Sequence, residues 1–161
     1  MRLRNLEERD AHLMLEWMHD DSVVHDLRTN FATKTIEDCL KFIDEAHDTT
    51  ENLHLAIVND DNEYMGTVSL KHIKNESAEF GITIRKKAMG GGYSLFGMRA
   101  IIEYGFNVLG INYIYWCVNP ENIRAVKFYD KNNYKRCDIP VQTFGYTEEE
   151  KLNYIWYCVI K

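Results

Sequence analysis

The chain has 161 residues, of which 45% are hydrophobic, so its length suits a single domain over residues 1–161 with a buried core. Its formal net charge of −6 argues against a general nucleic-acid binder, which is usually basic over the domain or along one face. Neither an apolar leader after Met1 nor an apolar run of membrane-spanning length is present. We therefore expect a cytoplasmic protein with no nucleic-acid or membrane partner.

The cysteines and histidines do not suggest a metal site. Four cysteines and six histidines are scattered along the chain, without the close spacing that marks zinc sites or disulfide frameworks. We expect reduced, structural cysteines and no bound metal.

The first third of the chain predicts two helices. Asn5, with Glu8 three positions later, predicts the start of a helix that runs out near residues 19–21. Thr35 is the expected cap of a second helix, which should end by residues 48–50. The expected apolar stripe of the second helix is Ile36, Leu40 and Ile43.

Residues 20–34, between these helices, show no clean period and predict an irregular loop. Long connections in compact domains are often functional, so this loop is a candidate wall for a substrate pocket. Arg28 and Phe31 are its most specific groups. The alternative is a variable surface loop without such a role.

A change of period then predicts three strands, at 53–58, 63–70 and 77–84. Turn-forming residues at 59–62 and around 74–76 separate them. The three strands should form an antiparallel meander.

The third of these strands leads through a basic turn, residues 85–87, and three glycines into a helix that ends before Gly110. Glycines allow the backbone to approach a ligand closely, and the first turn of a helix offers unpaired N–H groups and a positive dipole end. Such a corner predicts a site for an anion such as a phosphate or pyrophosphate, with extra positive charge from the basic turn. The alternative is a flexible turn whose lysines face water.

The remainder of the chain predicts a strand at 112–118, a helix beginning at Pro120 and ending at Asn132, a strand from Tyr134 and a last strand at 153–160. Residues 140–151 form a polar connection. The order indicates a mixed α/β domain with about seven strands and four helices. The helix after the glycines should join two parallel strands, Ile82–Ile84 and Tyr113–Val118, in an otherwise antiparallel sheet.

Two motifs in this order resemble those of the GNAT superfamily of acyl-CoA-dependent N-acetyltransferases. The resemblance is greatest to the branch that acetylates ribosomal-protein termini, polyamines and amino sugars. The family's pyrophosphate loop, Gln/Arg-x-x-Gly-x-Gly/Ala, corresponds to residues 89–94, where Gly92 fits in full. Ser94 is a mild departure, whereas Met89 replaces Gln or Arg with a side chain that has no donor.

The second motif resembles the family's Asn-x-x-Ala-x-x-x-Tyr-x-x-x-Gly-Phe. Asn122, Ala125 and Tyr129 are in place, Asn133 stands for Gly and Tyr134 stands for Phe. Asn adopts left-handed conformations more readily than other non-glycine residues, so Asn133 is a tolerable substitute.

The resemblance implies transfer of an acetyl group from acetyl-CoA to a primary amine of a small molecule or a protein N-terminus by direct attack. Glu79 would be the general base, directly or through a water, and Tyr129 the acid that donates to the leaving thiolate. The implied cofactor-binding residues are Ile82, Thr83, Ile84, Met89, Gly90, Gly91, Gly92, Tyr93, Ser94, Asn119 and Asn122.

Other interpretations stay open at this point. Glu79 could be an ordinary exposed strand residue, and Tyr129 could be part of the core. The chain could also bind acyl-CoA without turnover, whereas a nucleotide-binding protein of another fold is disfavoured because Lys-Ser/Thr does not follow the glycines. The resemblance does not identify the acceptor amine. A monomer and a homodimer are both compatible with it.

Overall fold

A computed structural model describes residues 1–47, 50–142 and 144–161. The helices are α1 (Ala11–Met18), α2 (Asp21–Val24), α3 (Ile36–Glu45), α4 (Tyr93–Asn107), α5 (Ile123–Lys131) and α6 (Glu148–Asn153). The strands are β1 (Arg2–Asn5), β2 (Leu53–Val58), β3 (Tyr64–Lys74), β4 (Ser77–Ile84), β5 (Tyr113–Val118), β6 (Lys135–Arg136) and β7 (Ile155–Ile160). None of the helices in these ranges has the length and apolarity to cross a membrane.

The strands form a seven-stranded sheet in the order β1-β2-β3-β4-β5-β7-β6, which confirms the mixed α/β class. The predicted meander is present, because β2, β3 and β4 pair antiparallel in sequence. β4 and β5 pair parallel, as expected for two strands joined by the crossover helix α4. The first and last strands belong to the same sheet.

The helix α4 packs very closely on the sheet because it carries Gly97 at the contact. A Cβ atom on Gly97 would lie 2.3 Å from Cδ1 of Ile57 on β2. This side of the sheet forms the larger core, in which Met98 and Ile101 of α4 are fully buried together with Val68 and Ile114.

A second core lies under α1 and α3 and corrects two details of the sequence prediction. Cys39 and Ile43 are the buried residues of α3, whereas Leu40 is 40% exposed. Phe31 packs into this second core with its ring centroid 5.1 Å from that of Trp17, so it is not a wall of the cleft described below. The helix α3 ends at Glu45, whereas its predicted end at residues 48–50 lies partly outside the described residues.

Two predicted helix boundaries are wrong and one helix was missed, each for a local reason. Asn5 belongs to β1, so the capping box forms at Glu7 and a short 3₁₀ turn precedes α1. Asn122, rather than the region of Pro120, caps α5 by accepting from the Ala125 amide. The polar 140–151 connection contains the start of α6, whose capping box is formed by Thr147 and Glu150.

Candidate active site

The parallel pairing of β4 and β5 ends at Glu79 and Tyr115, and beyond these residues the two strands diverge. A cleft of about 370 Å³ occupies the gap. One wall is Phe80–Ile84 of β4, the other is Trp116–Val118 of β5, and α4 and α5 close one end. Across this gap, the edge of β4 has no strand partner among the described residues, so its backbone is available to an extended ligand.

The glycine corner forms the α4 end of the cleft. Gly90 and Gly92 have φ of 81° and 83°, a left-handed conformation that favours glycine. The backbone N–H groups of Gly92, Tyr93, Ser94 and Leu95 find no backbone acceptor in the described part of the chain. A 15-residue helix with unpaired amides at its start suits a diphosphate.

The cleft brings most of the expected site residues together. It is lined by Glu79, Ile82, Thr83, Ile84, Met89, Gly90, Ser94, Asn119, Asn122 and Tyr129. Gly91, Gly92 and Tyr93 lie outside the lining.

The basic turn does not supply positive charge to this corner, which corrects the sequence interpretation. Arg85 is buried and its guanidinium binds Glu16 and Glu63. Lys87 also pairs with Glu63, at 3.0 Å, and Lys86 lies 3.6 Å from Asp20. All three cations of the turn are therefore compensated by carboxylates, and none lines the cleft.

Arg124, in the first turn of α5, is the cation that lines this end of the cleft. Its Nη1 lies 3.2 Å from the Met89 sulfur and 3.4 Å from the Ser22 carbonyl oxygen. Among the described residues it has no carboxylate partner.

Asn119 and Asn122 already use their side-chain oxygens within the chain. The Asn119 oxygen accepts from the Glu121 amide at 3.0 Å, and the Asn122 oxygen accepts from the Ala125 amide at 3.0 Å. Their first role is to shape the start of α5. Their NH₂ groups are the atoms that remain for a ligand.

Tyr129 lies on the α5 wall with its ring packed against Trp116, Phe128 and Tyr157 at centroid distances of 5.2–5.3 Å. Within the described residues its hydroxyl makes no hydrogen bond and is not one of the fully buried unpaired groups. Burial raises the pKa of Tyr129 above its ordinary value, so the phenol keeps its proton at neutral pH.

Glu79 lies at the point where β4 and β5 separate and is 3% exposed, which excludes an ordinary exposed strand residue. Its Oε2 is 3.1 Å from Lys71 Nζ and 3.0 Å from His72 Nδ1. Neighbouring strand residues normally point to opposite faces, but a register shift in β3, with His72 at a φ of 52°, lets both side chains reach one carboxylate. The other oxygen, Oε1, accepts a hydrogen bond of 2.8 Å from Tyr146.

The opposite end of the cleft is formed by two segments that are distant in sequence. Arg28 of the 20–34 segment places its guanidinium 4.4 Å from the centroid of the Tyr146 ring. It also binds Glu150 through two contacts of 2.7 and 2.9 Å and donates to the Gly145 carbonyl. Arg28 thus lines the cleft and holds the 144–150 segment against it.

Sequence reasoning missed Tyr146, Cys117 and Arg124. Cys117 lines the cleft beside Tyr146, and burial raises the pKa of its thiol to about 12, so it stays a neutral thiol. Arg124 could have been found from its place in the first turn of the helix that follows Asn119-Pro120. Tyr146 lies in a polar segment without periodicity, so no local signal identifies it.

The chain is similar to known acetyltransferases over most of its length. Residues 1–135 match the family described as "Acetyltransferase (GNAT) domain". Acetyltransferase PseH of Campylobacter jejuni is 24% identical over 137 residues, which cover 83% of this chain and 84% of that protein. The spermidine N(1)-acetyltransferase of Escherichia coli K12 is 33% identical over 87 residues, which cover 53% of this chain and 46% of that protein.

A solved structure also shares the fold. The spermidine N-acetyltransferase of Vibrio cholerae, in complex with CoA and spermine, superposes with a TM-score of 0.80 at 18% identity. The superposition covers 99% of this chain and 94% of the other.

Proposed function

Because this chain belongs to the GNAT family of acetyltransferases, we propose that its cleft transfers an acetyl group from acetyl-CoA to a primary amine by direct attack. The protein is an acetyl-CoA-dependent N-acetyltransferase. The finer proposal concerns the acceptor and the residues that perform the transfer.

The observation that carries this proposal is the position of Glu79 and Tyr129 in one cleft, which ends at the unpaired amides of α4. Acetyl-CoA fits these residues, because a diphosphate suits the amides at Gly92–Ser94. The amide-containing pantetheine arm suits the unpartnered β4 edge at Ile82–Ile84. Bound in this way, the thioester would point along the cleft toward Glu79.

The chemistry requires a proton acceptor and a proton donor. An alkylammonium has a reference pKa near 10.4 and no lone pair, so the amine must lose a proton before it attacks. We assign the acceptance of this proton to Glu79. The departing thiolate is stabilised by a hydroxyl donor, which we assign to Tyr129, whose phenol keeps its proton and has no internal partner among the described residues.

A small-molecule amine is the acceptor class we favour. The names of two similar proteins state spermidine or spermine as their ligands. Asp26 and Tyr154 also line this cleft, in which Glu79 already pairs with Lys71 and the Tyr146 ring with Arg28. Carboxylates and aromatic faces both attract an alkylammonium group. A protein N-terminus is the alternative acceptor.

Three further proposals come from the sequence. We propose that residues 1–161 act as one domain, which the shared sheet of β1 and β7 supports. A cytoplasmic location and a monomeric or homodimeric state remain predictions.

The test is the release of free CoA thiol from acetyl-CoA in the presence of spermidine, spermine, an amino sugar or a peptide with a free N-terminus. We expect turnover with at least one amine and a large loss of kcat in Glu79→Gln. Glu103→Gln on the exposed face of α4 is the matched control, with unchanged kcat. Tight CoA binding without turnover of any amine would instead favour a non-catalytic acyl-CoA-binding module.

A further inference from the structure

We propose that Tyr146 is a further catalytic residue, which receives a proton from the acceptor amine and passes its own hydroxyl proton to Glu79. This inference rests on the proposed acetyl transfer. It assigns a role to a residue of the 144–150 segment.

Both carboxylate oxygens of Glu79 already have partners inside the protein. Its Oε2 is occupied by Lys71 Nζ and His72 Nδ1, at 3.1 and 3.0 Å. Its Oε1 accepts the Tyr146 hydroxyl at 2.8 Å. Glu79 is 3% exposed and both side chains line the cleft, so an amine that approaches Oε1 meets the phenol oxygen.

Tyr146 is held in this position by its neighbours. The Arg28 guanidinium covers one side of the ring at 4.4 Å, and Arg28 is itself fixed by Glu150. The ring also meets Trp156 edge to face, with centroids 5.7 Å apart. A hydroxyl restrained in this way can transfer a proton without first having to find its partner.

The phenol of Tyr146 is suited to relay a proton and unsuited to act as a base alone. Burial and the negative charge of Glu79 raise the pKa of Tyr146 far above its ordinary value. The hydroxyl therefore holds its proton until another proton arrives at the oxygen. Its oxygen can accept a hydrogen bond while its proton is donated to Glu79.

The relay moves two protons before the amine attacks. The ammonium N–H gives its proton to the Tyr146 oxygen while the Tyr146 proton moves to Oε1 of Glu79, which leaves a neutral amine, a neutral phenol and a protonated Glu79. The amine lone pair attacks the thioester carbon, the C–N bond forms and the C–S bond breaks with its electron pair on sulfur. Tyr129 protonates the thiolate and regains a proton from the amine nitrogen, and Glu79 releases its proton to solvent.

The test compares Tyr146→Phe with Tyr113→Phe, a half-exposed tyrosine of β5 outside the cleft. General acid–base groups contribute about 10²- to 10⁴-fold, so we expect kcat to fall at least about 100-fold in Tyr146→Phe. The KM for acetyl-CoA and the kcat of Tyr113→Phe should stay as in the wild type. In Tyr146→Phe the rate should keep rising with pH toward the pKa of the acceptor amine, because only the unprotonated amine then reacts.

Non-additivity gives a second readout that does not depend on one variant. If the two residues act as one relay, Glu79→Gln combined with Tyr146→Phe loses no more activity than the more severe single variant. Wild-type kcat and pH profile in Tyr146→Phe, or losses that multiply in the double variant, would overturn the relay while acetyl transfer stands. Absence of turnover by the wild type with every amine would instead overturn the proposed function. CoA binding measured by calorimetry verifies that each variant is folded. If Tyr146→Phe does not bind CoA, the dependence of the wild-type rate on the deuterium fraction of the solvent gives the test, because two protons move in the relay and one moves in direct transfer to Glu79.

Discussion

The Arg124 guanidinium lies 3.2 Å from the sulfur of Met89, at the end of the cleft formed by the start of α4. A thioether is a weak acceptor, and within the described residues Arg124 has no carboxylate partner. The family's donor at the position of Met89 is absent, and the neighbouring basic turn is neutralised by its own carboxylates. Arg124 is therefore the cation best placed to bind the diphosphate.

We expect Arg124→Ala to raise the Kd for CoA about tenfold, because a hydrogen bond to a charged group contributes about 1.5 kcal/mol or more. Calorimetry at two salt concentrations measures this, and the variant should show the weaker salt dependence. Lys87→Ala is the control, since its ammonium pairs with Glu63 outside the cleft. Met89→Arg in the Arg124→Ala background should restore affinity. Equal effects of Arg124→Ala and Lys87→Ala would refute a specific contact.

The role of Tyr129 predicts an effect that depends on the leaving group. In Tyr129→Phe the ring keeps its packing against Trp116 and Tyr157, so stability should change by less than about 1 kcal/mol. We expect kcat with acetyl-CoA to fall at least about 100-fold, and the loss to shrink with an acetyl donor whose thiol is more acidic.

Tyr134→Phe provides the control for Tyr129, because the partly buried Tyr134 packs next to it and does not line the cleft. The substitution also introduces the residue that the family has at this position. It should leave kcat unchanged. A loss in Tyr129→Phe that is the same for every thioester would argue against proton donation to sulfur.

Much of the fold could be predicted because its signals are local. The alternation of β2, β3 and β4 and the apolar run of β5 are sequence patterns, and the structure has these strands within a few residues of the predicted positions. The helix α6 was missed because it is a short polar helix whose only signal is the pair Thr147 and Glu150.

The site could be predicted only where a motif carries it. Tyr129 occupies a motif position and lines the cleft, whereas Gly92, the glycine that fits the motif, caps the start of α4 outside the lining. The basic turn was misinterpreted because a sequence shows charges without their partners, and Glu16 and Glu63 come from other elements. Arg28 and Glu150 are 122 positions apart, so only the fold reveals that they hold Tyr146.

The buried Arg85 predicts a structural role for the turn that precedes the glycines. Its guanidinium binds Glu16, Glu63 and the carbonyl oxygen of the fully buried Tyr64. We expect Arg85→Met to lower the free energy of unfolding by about 2 kcal/mol or more, since a buried carbonyl and two carboxylates lose their donor. Lys87→Met removes an exposed cation that pairs with the same Glu63, and the free energy of unfolding should change by less than about 0.5 kcal/mol. Urea unfolding distinguishes the two, and equal losses would contradict this prediction.

His54 on β2 predicts a specific pH dependence of stability. Its Nδ1 lies 2.7 Å from the Ser69 hydroxyl, and its ring centroid is 4.7 Å from that of Phe42. Burial, and secondarily the charge of Lys71, lower the pKa of His54 from 6.5 to about 4. Between these values the unfolded chain binds more protons than the folded chain, so stability rises with pH. This contribution is fully present above about pH 6.5 and is lost as the pH falls through about 4.

The expected loss from His54 over this range is roughly 3 kcal/mol, at about 1.4 kcal/mol for each unit of pKa difference. Urea unfolding at intervals from pH 7 to pH 4 measures this loss in the wild type and in His54→Gln. Subtracting one curve from the other cancels the effect of the carboxylates, which titrate in both proteins. We expect the wild type to lose more stability than His54→Gln as the pH falls. His12→Gln, on the exposed face of α1, should follow the wild type throughout. If the free energy of unfolding falls equally with pH in the wild type and in His54→Gln, burial against Phe42 does not hold the imidazole neutral.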